Sequence, residues 1–113
     1  MIFILKTGEK MCLILKVVSD SFSPSTNSPE GIHKDGAHWI ISALIINKFN
    51  ISGGSSIIYD NFKNTLFTTN LDILHGIFMN DQKFFHNVTP ILSSHSNTFG
   101  FRDIIGLDIL FYH

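Results

Sequence analysis

Trp39-Ile-Ile-Ser-Ala-Leu-Ile-Ile46, followed a few residues later by Gly53-Gly54, is the most informative stretch of the chain for the fold. The run is nearly all apolar, so its pattern alone would also suit a buried helix. Its β-branched content and the double glycine after it favour a buried strand that leads into a turn. We therefore predict a strand over His38–Asn47.

The remaining apolar segments are short, contain Ile and Phe, and are bounded by Gly, Asn, Ser and Asp, which is typical of strands. No amphipathic run of helical period exceeds about ten residues. The other predicted strands are Ile2–Lys6, Met11–Val18, Ser56–Asp60, Thr65–Thr68, Ile73–Met79, Phe84–Leu92 and Arg102–Phe111. Eight short strands predict an antiparallel sandwich or barrel. The Ser- and Pro-rich segment Ser19–Gly31 is predicted to be a loop.

Length and composition fit one domain, residues 1–113, with 44% hydrophobic residues but only 15% charged ones. So few charges indicate that the chain has an extensive core, has lost a solvated portion, or has a partner, which includes a homo-oligomer. A net charge of −1 with a single arginine excludes an electrostatic nucleic-acid site. Met11–Val18 is too short and too charged to be a signal or membrane segment, and the lone Cys12 favours a reducing compartment. We predict a cytoplasmic protein with no membrane partner.

Candidate metal ligands are His33, Asp35 and His86. Two histidines and one carboxylate can hold iron(II) on one face and leave three positions open. On a strand, the spacing of His33 and Asp35 would place both side chains on one face, and His86 lies in an apolar β segment that could return to the same end of a barrel. Chance alone gives ~0.4 His-x-Asp matches in a chain of this composition. From spacing alone, a solvated His-Lys-Asp loop and a core His86 therefore stay the alternative.

The sequence around these residues is more specific. Four segments occur in this order: Pro29-Glu-Gly-Ile-His-Lys-Asp-Gly36, Asn50-Ile-Ser-Gly-Gly-Ser-Ser-Ile-Ile-Tyr-Asp60, His86-Asn-Val-Thr-Pro-Ile91 and Phe101-Arg-Asp-Ile104. Together they resemble the bacterial 2-oxoglutarate–iron(II) dioxygenase family that contains the L-isoleucine hydroxylases, over residues 28–111. The resemblance implies a mainly β domain, a double-stranded β-helix (a jelly-roll or cupin-like barrel).

The resemblance also implies roles for individual residues. His33, Asp35 and His86 would bind iron(II) as the catalytic centre, and Arg102 would pair with the distal carboxylate of the co-substrate 2-oxoglutarate. A planar guanidinium suits this task because it binds a carboxylate with two parallel hydrogen bonds. The implied reaction is hydroxylation of a free aliphatic L-amino acid resembling isoleucine, leucine or methionine. It consumes O2 and releases succinate and CO2.

Two features depart from the family pattern. Members carry an N-terminal half before the iron motif, whereas only 32 residues precede His33 here, so we expect a domain that is incomplete at its N-terminus. Ser55 also stands where the double-glycine motif usually continues with an acidic residue. These departures support an alternative function, a truncated or degenerate non-catalytic barrel that binds a metal, a small acid or a partner chain. A third alternative is a cupin-type metal-binding protein that uses other histidines. We predict that His38, His75 and His95 are solvated or core residues.

Overall fold

The computed structural model describes residues 2–4, 9–22, 31–95 and 98–112. Within these ranges the chain forms strands and no helix, so it has no helix that could cross a membrane there. The strands are β1 Ile2–Ile4, β2 Lys10–Phe22, β3 Trp39–Phe49, β4 Ile51–Gly53, β5 Ser56–Tyr59, β6 Thr65–Thr69, β7 Phe78–Asn80, β8 Phe85–Val88, β9 Ile91–Ser93 and β10 Gly100–Tyr112.

All strand pairs in the described ranges are antiparallel. The large sheet has the order β1-β2-β10-β3-β7, and a three-stranded sheet has the order β6-β5-β8, while β4 pairs with β9. Strands β2 and β10 pair along their whole length, from Phe22 opposite Gly100 to Lys10 opposite Tyr112. This long ribbon is the central scaffold of the large sheet.

The core joins the two main sheets. Ile40 of β3 and Met79 of β7 come from the large sheet, and Ile58 comes from the middle strand of the small sheet. Ala37, just before β3, completes the buried cluster, and Ile40 has no exposed surface at all. Full burial of an aliphatic side chain of this size contributes about 1.5–3 kcal/mol, so this contact holds the small sheet against the large one.

A β-bulge adjusts β3 to this core. Two residues of β3, Ser42 and Ala43, lie opposite Gly106 alone, because the register shifts between Ile105 and Leu107 of β10. One extra residue reverses which side chains of a strand point to a given face. The bulge therefore explains how both Ile40 and Ala43, three residues apart, are buried.

The predicted strand at His38–Asn47 is confirmed, as β3, and so are the predicted strands at Ser56–Asp60, Thr65–Thr68 and Arg102–Phe111 to within two residues. The predicted loop Ser19–Gly31 is wrong over its first four residues. Ser19–Phe22 continue β2 because their backbone pairs with the start of β10; residues 23–30 lie outside the described ranges, as do residues 5 and 6 of the first predicted strand.

Two other predicted strands are wrong in part. In Ile73–Met79 only the last two residues are strand; Leu74 has a positive φ of 67°, and this segment bonds irregularly to the bulged part of β3. The segment Phe84–Leu92 is two strands, β8 and β9, because Pro90 has no N–H to continue a ladder. The short strand β4 was not predicted, since its residues read as part of the turn around Gly53-Gly54.

Candidate metal centre

His33 and His86 face each other across a single antiparallel bridge. The His33 N–H donates to the His86 carbonyl at 3.0 Å, and the His86 N–H donates to the His33 carbonyl at 2.9 Å. Strand β8 carries His86 and pairs it with Ile58 of β5, so the bridge is anchored to the core. The two imidazole rings lie 4.2 Å apart between centroids.

The hydrogen-bond partner of His33 shows which of its ring nitrogens carries the proton. His33 Nδ1 lies 2.7 Å from the carbonyl oxygen of Gly31. A carbonyl oxygen can only accept, so Nδ1 carries the proton, and in the neutral ring Nε2 holds the lone pair. A backbone carbonyl behind the ring is the usual way in which a metal-binding histidine is oriented.

Asp35 completes the cluster. Its Oδ1 lies 3.4 Å from His33 Nε2 and 3.5 Å from His86 Nε2. Asp35 is not in a strand, so the predicted reason for its convergence with His33 is wrong, but the predicted convergence itself is present. One potential ligand atom from each of the three residues lies within 4.8 Å of the others.

The chemistry of this donor set fits a divalent ion. Ligand atoms bound about 2.1 Å from one ion lie about 3.0–3.4 Å apart at angles of 90–110°, which is close to the separations around Asp35 Oδ1. A carboxylate oxygen and two ring nitrogens that face one another need a cation or a proton between them. The donors are two imidazoles and one carboxylate, the set that non-haem iron(II) oxygenases use.

The pKa of the Asp35 carboxyl is lowered, chiefly by its hydrogen bond with His86. Burial acts in the opposite direction but is outweighed, and the charges of His86, His33 and Lys16 lower the pKa further. His86 is buried, and its Nδ1 has no hydrogen-bond partner in the described structure. Asp35 is therefore ready to act as an anionic ligand in a site that is closed on the His86 side.

Arg102 lies on β10, opposite Asp20 of β2 and Lys48 of β3. Burial lowers the pKa of its guanidinium, and the nearby Asp20 carboxylate partly offsets this. Its Nε atom is buried without a hydrogen-bond partner among the residues described. A buried donor of this kind costs free energy until an acceptor reaches it, so Arg102 Nε is available to an acceptor.

The double glycine stands beside Arg102. Gly53 and Gly54 both have positive φ, 77° and 71°, which confirms the predicted turn. A Cβ on Gly53 would overlap the Pro90 carbonyl oxygen, and a Cβ on Gly54 would lie 3.7 Å from Arg102 Nη1. The positive φ values and the close approach to β9 therefore favour glycine at both positions, since a Cβ on Gly54 would lie 3.0 Å from Ile91 Cγ1. Ser55 is held by two hydrogen bonds with Thr89, both of 2.9 Å.

The other histidines that the structure describes do not join the cluster. His38 Nδ1 accepts a hydrogen bond from the Phe111 N–H, and His75 and His95 are exposed. Trp39 stacks on Phe78 and lines an apolar groove of about 520 Å³. None of the three candidate ligands lines this groove. Within the described residues His33, Asp35 and His86 form the one group that could hold a metal, so the alternative with other histidines has no support.

Sequence reasoning missed one residue at this site. Asp81 directly follows β7, and its carboxylate accepts hydrogen bonds from the backbone of the Asp35 loop. A second acidic residue, Asp108 of β10, is buried and bonds to Lys16 Nζ at 2.9 Å. Neither role has a local sequence signal, because both partners lie more than forty residues away in the chain.

Comparison with known proteins places these observations in context. The family model for 2OG-Fe dioxygenase matches residues 12–108. The fold is similar to that of IDO from Bacillus thuringiensis, with a TM-score of 0.78 and 24% identity over 97% of this chain and 53% of that one. No curated protein matches the sequence.

Two further solved structures are similar. The Fe(II)/α-ketoglutarate-dependent dioxygenase TqaL has a TM-score of 0.78 and 15% identity over 89% of this chain and 42% of that one. A bsmA homologue from Methylobium petroleophilum PM1 has a TM-score of 0.67 and 18% identity over 90% and 41%. These likenesses confirm the mainly β jelly-roll fold. The chain spans about half the length of these proteins.

Proposed function

The chain belongs to the 2OG-Fe dioxygenase family, and from this premise we propose that it binds iron(II) through His33, Asp35 and His86 and oxidises a small substrate. The family uses iron(II), 2-oxoglutarate and O2. The observation that carries the proposal is the convergence of two imidazole Nε2 atoms on one oxygen of Asp35, at 3.4 and 3.5 Å.

Each side chain has a separate task in this proposal. His33 and His86 offer neutral nitrogen donors, and Asp35 supplies the negative charge. Iron(II), when bound, would supply the redox chemistry by which one oxygen atom of O2 enters succinate, as 2-oxoglutarate loses CO2, and the other hydroxylates the substrate. Arg102 binds the distal carboxylate of 2-oxoglutarate. This contact would give its buried Nε an acceptor and would stabilise the guanidinium charge, which burial disfavours.

We further propose a free aliphatic L-amino acid as the substrate. The support is the resemblance of the four ordered segments to the family of the L-isoleucine hydroxylases. With Arg102 committed to 2-oxoglutarate, no second arginine is present in the sequence for the substrate carboxylate. A lysine, backbone amides or a Ser/Thr cluster would have to make that contact; Lys16 is near enough for its charge to act on Asp35, but its ammonium is paired with Asp108.

An anaerobic titration tests the metal and co-substrate together. Addition of iron(II) and then 2-oxoglutarate to the protein is expected to give a weak visible charge-transfer band, which His33→Ala should abolish. With O2 present, isoleucine, leucine or methionine should stimulate the formation of succinate. A wild-type protein with no band, or a band that survives in His33→Ala, contradicts the proposed ligands.

A non-catalytic binding domain is the second candidate. It is motivated by the exposed apolar residues of β2, among them Leu15 and Val17, and by the 53% coverage of the IDO structure. Such a domain would bind metal and 2-oxoglutarate but form no succinate with any member of a broad amino-acid panel. A homo-oligomer and a cytoplasmic location stay predictions from the composition.

A further inference from the structure

Asp81 is a buried acidic residue next to the loop that carries Asp35. Its side chain is only 1% exposed. A carboxylate taken out of water to this degree costs several kcal/mol unless hydrogen bonds replace its hydration. Hydrogen-bond donors must therefore compensate for the burial of the Asp81 carboxylate.

The donors are three consecutive backbone N–H groups of the loop that carries the Asp35 ligand. Asp81 Oδ1 accepts from the Asp35 N–H at 3.1 Å, and Oδ2 accepts from the N–H groups of Gly36 at 2.7 Å and Ala37 at 3.0 Å. Gly36 has a φ of 86°, so the left-handed residue turns the successive N–H groups towards one anion. The Asp81 N–H also donates to the His38 carbonyl at 3.0 Å, which ties down the far end of the same loop.

The other two candidate ligands are fixed in a different way. His33 and His86 hold each other through their backbone bridge, and the Gly31 carbonyl orients the His33 ring. Asp35 lies outside every strand, so no ladder sets its backbone. Its N–H instead bonds to Asp81. The position of the Asp35 carboxylate between the two imidazoles therefore depends on Asp81.

We propose that Asp81 is a positioning residue for the metal centre, which fixes the Asp35 carboxylate between His33 and His86 by accepting the N–H groups of Asp35, Gly36 and Ala37. The inference rests on the proposed metal ligands. Residues that orient metal ligands typically change metal affinity by about 10–100-fold when they are altered. Asp81→Asn replaces one acceptor oxygen with an NH2 group that faces a backbone donor, so it should loosen the loop while the side chain keeps its size.

The test is a titration of the metal-free protein with Co(II), followed by its visible absorption spectrum. In Asp81→Asn we expect the Co(II) affinity to fall by about 10–100-fold and the absorption bands to change shape. The matched control is Asp60→Asn. Asp60 also accepts two backbone N–H groups, from Phe62 and Asn64, but at the turn between β5 and β6. This control should keep wild-type affinity and spectrum.

Urea denaturation of the metal-free proteins separates positioning from general destabilisation. If Asp81 acts on the metal centre through Asp35, the loss of Co(II) affinity in Asp81→Asn should remain when the titration is done under conditions in which both proteins are fully folded. A fully folded Asp81→Asn protein with wild-type affinity and spectrum would overturn the proposal.

Gly36→Ala provides a second route if Asp81→Asn does not fold. An added Cβ meets no atom within 4 Å, so this change acts only through the backbone strain of φ 86°. It should also weaken Co(II) binding, and unchanged binding would overturn the proposal. A wild-type protein that binds no Co(II) would instead refute the metal ligands themselves, and the two failures are thereby distinguished.

Discussion

The metal end of the molecule and strand β2 differ in how completely their side chains are enclosed. At the metal end His86 is 6% exposed, and the backbone bridge and the Asp81 carboxylate hold the surrounding loops. Along β2, Leu15 and Val17 are 63% and 69% exposed. On the outer edge of β2, the edge away from β10, only Lys10–Cys12 pair with β1 in the described part of the chain.

This difference shows which part of the fold the candidate site needs. His33, Asp35 and His86 are held by the small sheet and by loops tied to β7 and β8, none of which involves the outer edge of β2. The structural match with IDO covers 97% of this chain but only 53% of the IDO chain. The donor set is therefore assembled in a chain whose described residues leave Leu15 and Val17 of the large sheet exposed.

The largest expected effect is at the metal end. His86→Ala removes one of three ligands, so metal affinity should fall by more than about 100-fold. Isothermal titration with Mn(II) measures this. Val17→Ala, on the exposed part of β2, is the control and should bind as the wild type does. Equal affinity in the two variants would contradict the difference between the regions.

The two regions should also differ in how much a buried or an exposed side chain contributes to the free energy of unfolding. Ile58→Ala removes a core side chain between the sheets and should lower the free energy of unfolding by about 2–5 kcal/mol. Leu15→Ala, at an exposed position of β2, should change it by less than about 0.5 kcal/mol. Urea denaturation followed by Trp39 fluorescence compares them. Similar losses in both variants would mean that β2 is covered in solution.

Arg102 lies on β10 of the large sheet and is half-buried, with its Nε atom fully buried. Arg102→Lys keeps the charge but loses the two-point contact, so the affinity for 2-oxoglutarate should fall by about 10–100-fold. Metal affinity should not change, because Arg102 is not among the candidate ligands. Competition binding with 2-oxoglutarate measures the first and Mn(II) titration the second. Unchanged 2-oxoglutarate affinity would exclude Arg102 from the co-substrate site.

The smallest effect is expected at the edge of β2. Val17→Lys places a charge on an exposed apolar strand and should alter the free energy of unfolding by less than about 0.5 kcal/mol. It should reduce self-association, because charged side chains on an open edge prevent pairing between chains. Analytical ultracentrifugation at several concentrations checks this. A loss of folding would show that Val17 packs against something in the native state.

The sequence predicted the strands with strong β-branched patterns, and it predicted the convergence of His33, Asp35 and His86 from their motif context. It did not predict why Asp35 lies there, since the hydrogen bonds from its loop end on Asp81, 46 residues away. Pro90 marks the break between β8 and β9 in the sequence, but the apolar residues around it give the pattern of one continuous strand. The irregular segment before β7 could not be predicted, because its conformation depends on the bulges of β3.

The most direct test of the metal centre is the stoichiometry of Mn(II) binding to the metal-free chain, measured by electron paramagnetic resonance of the free ion. The wild type should bind one ion per chain, and His33→Ala, Asp35→Ala and His86→Ala should each lose it while Asp60→Asn keeps it. Binding that persists unchanged in all three ligand variants would contradict the assignment.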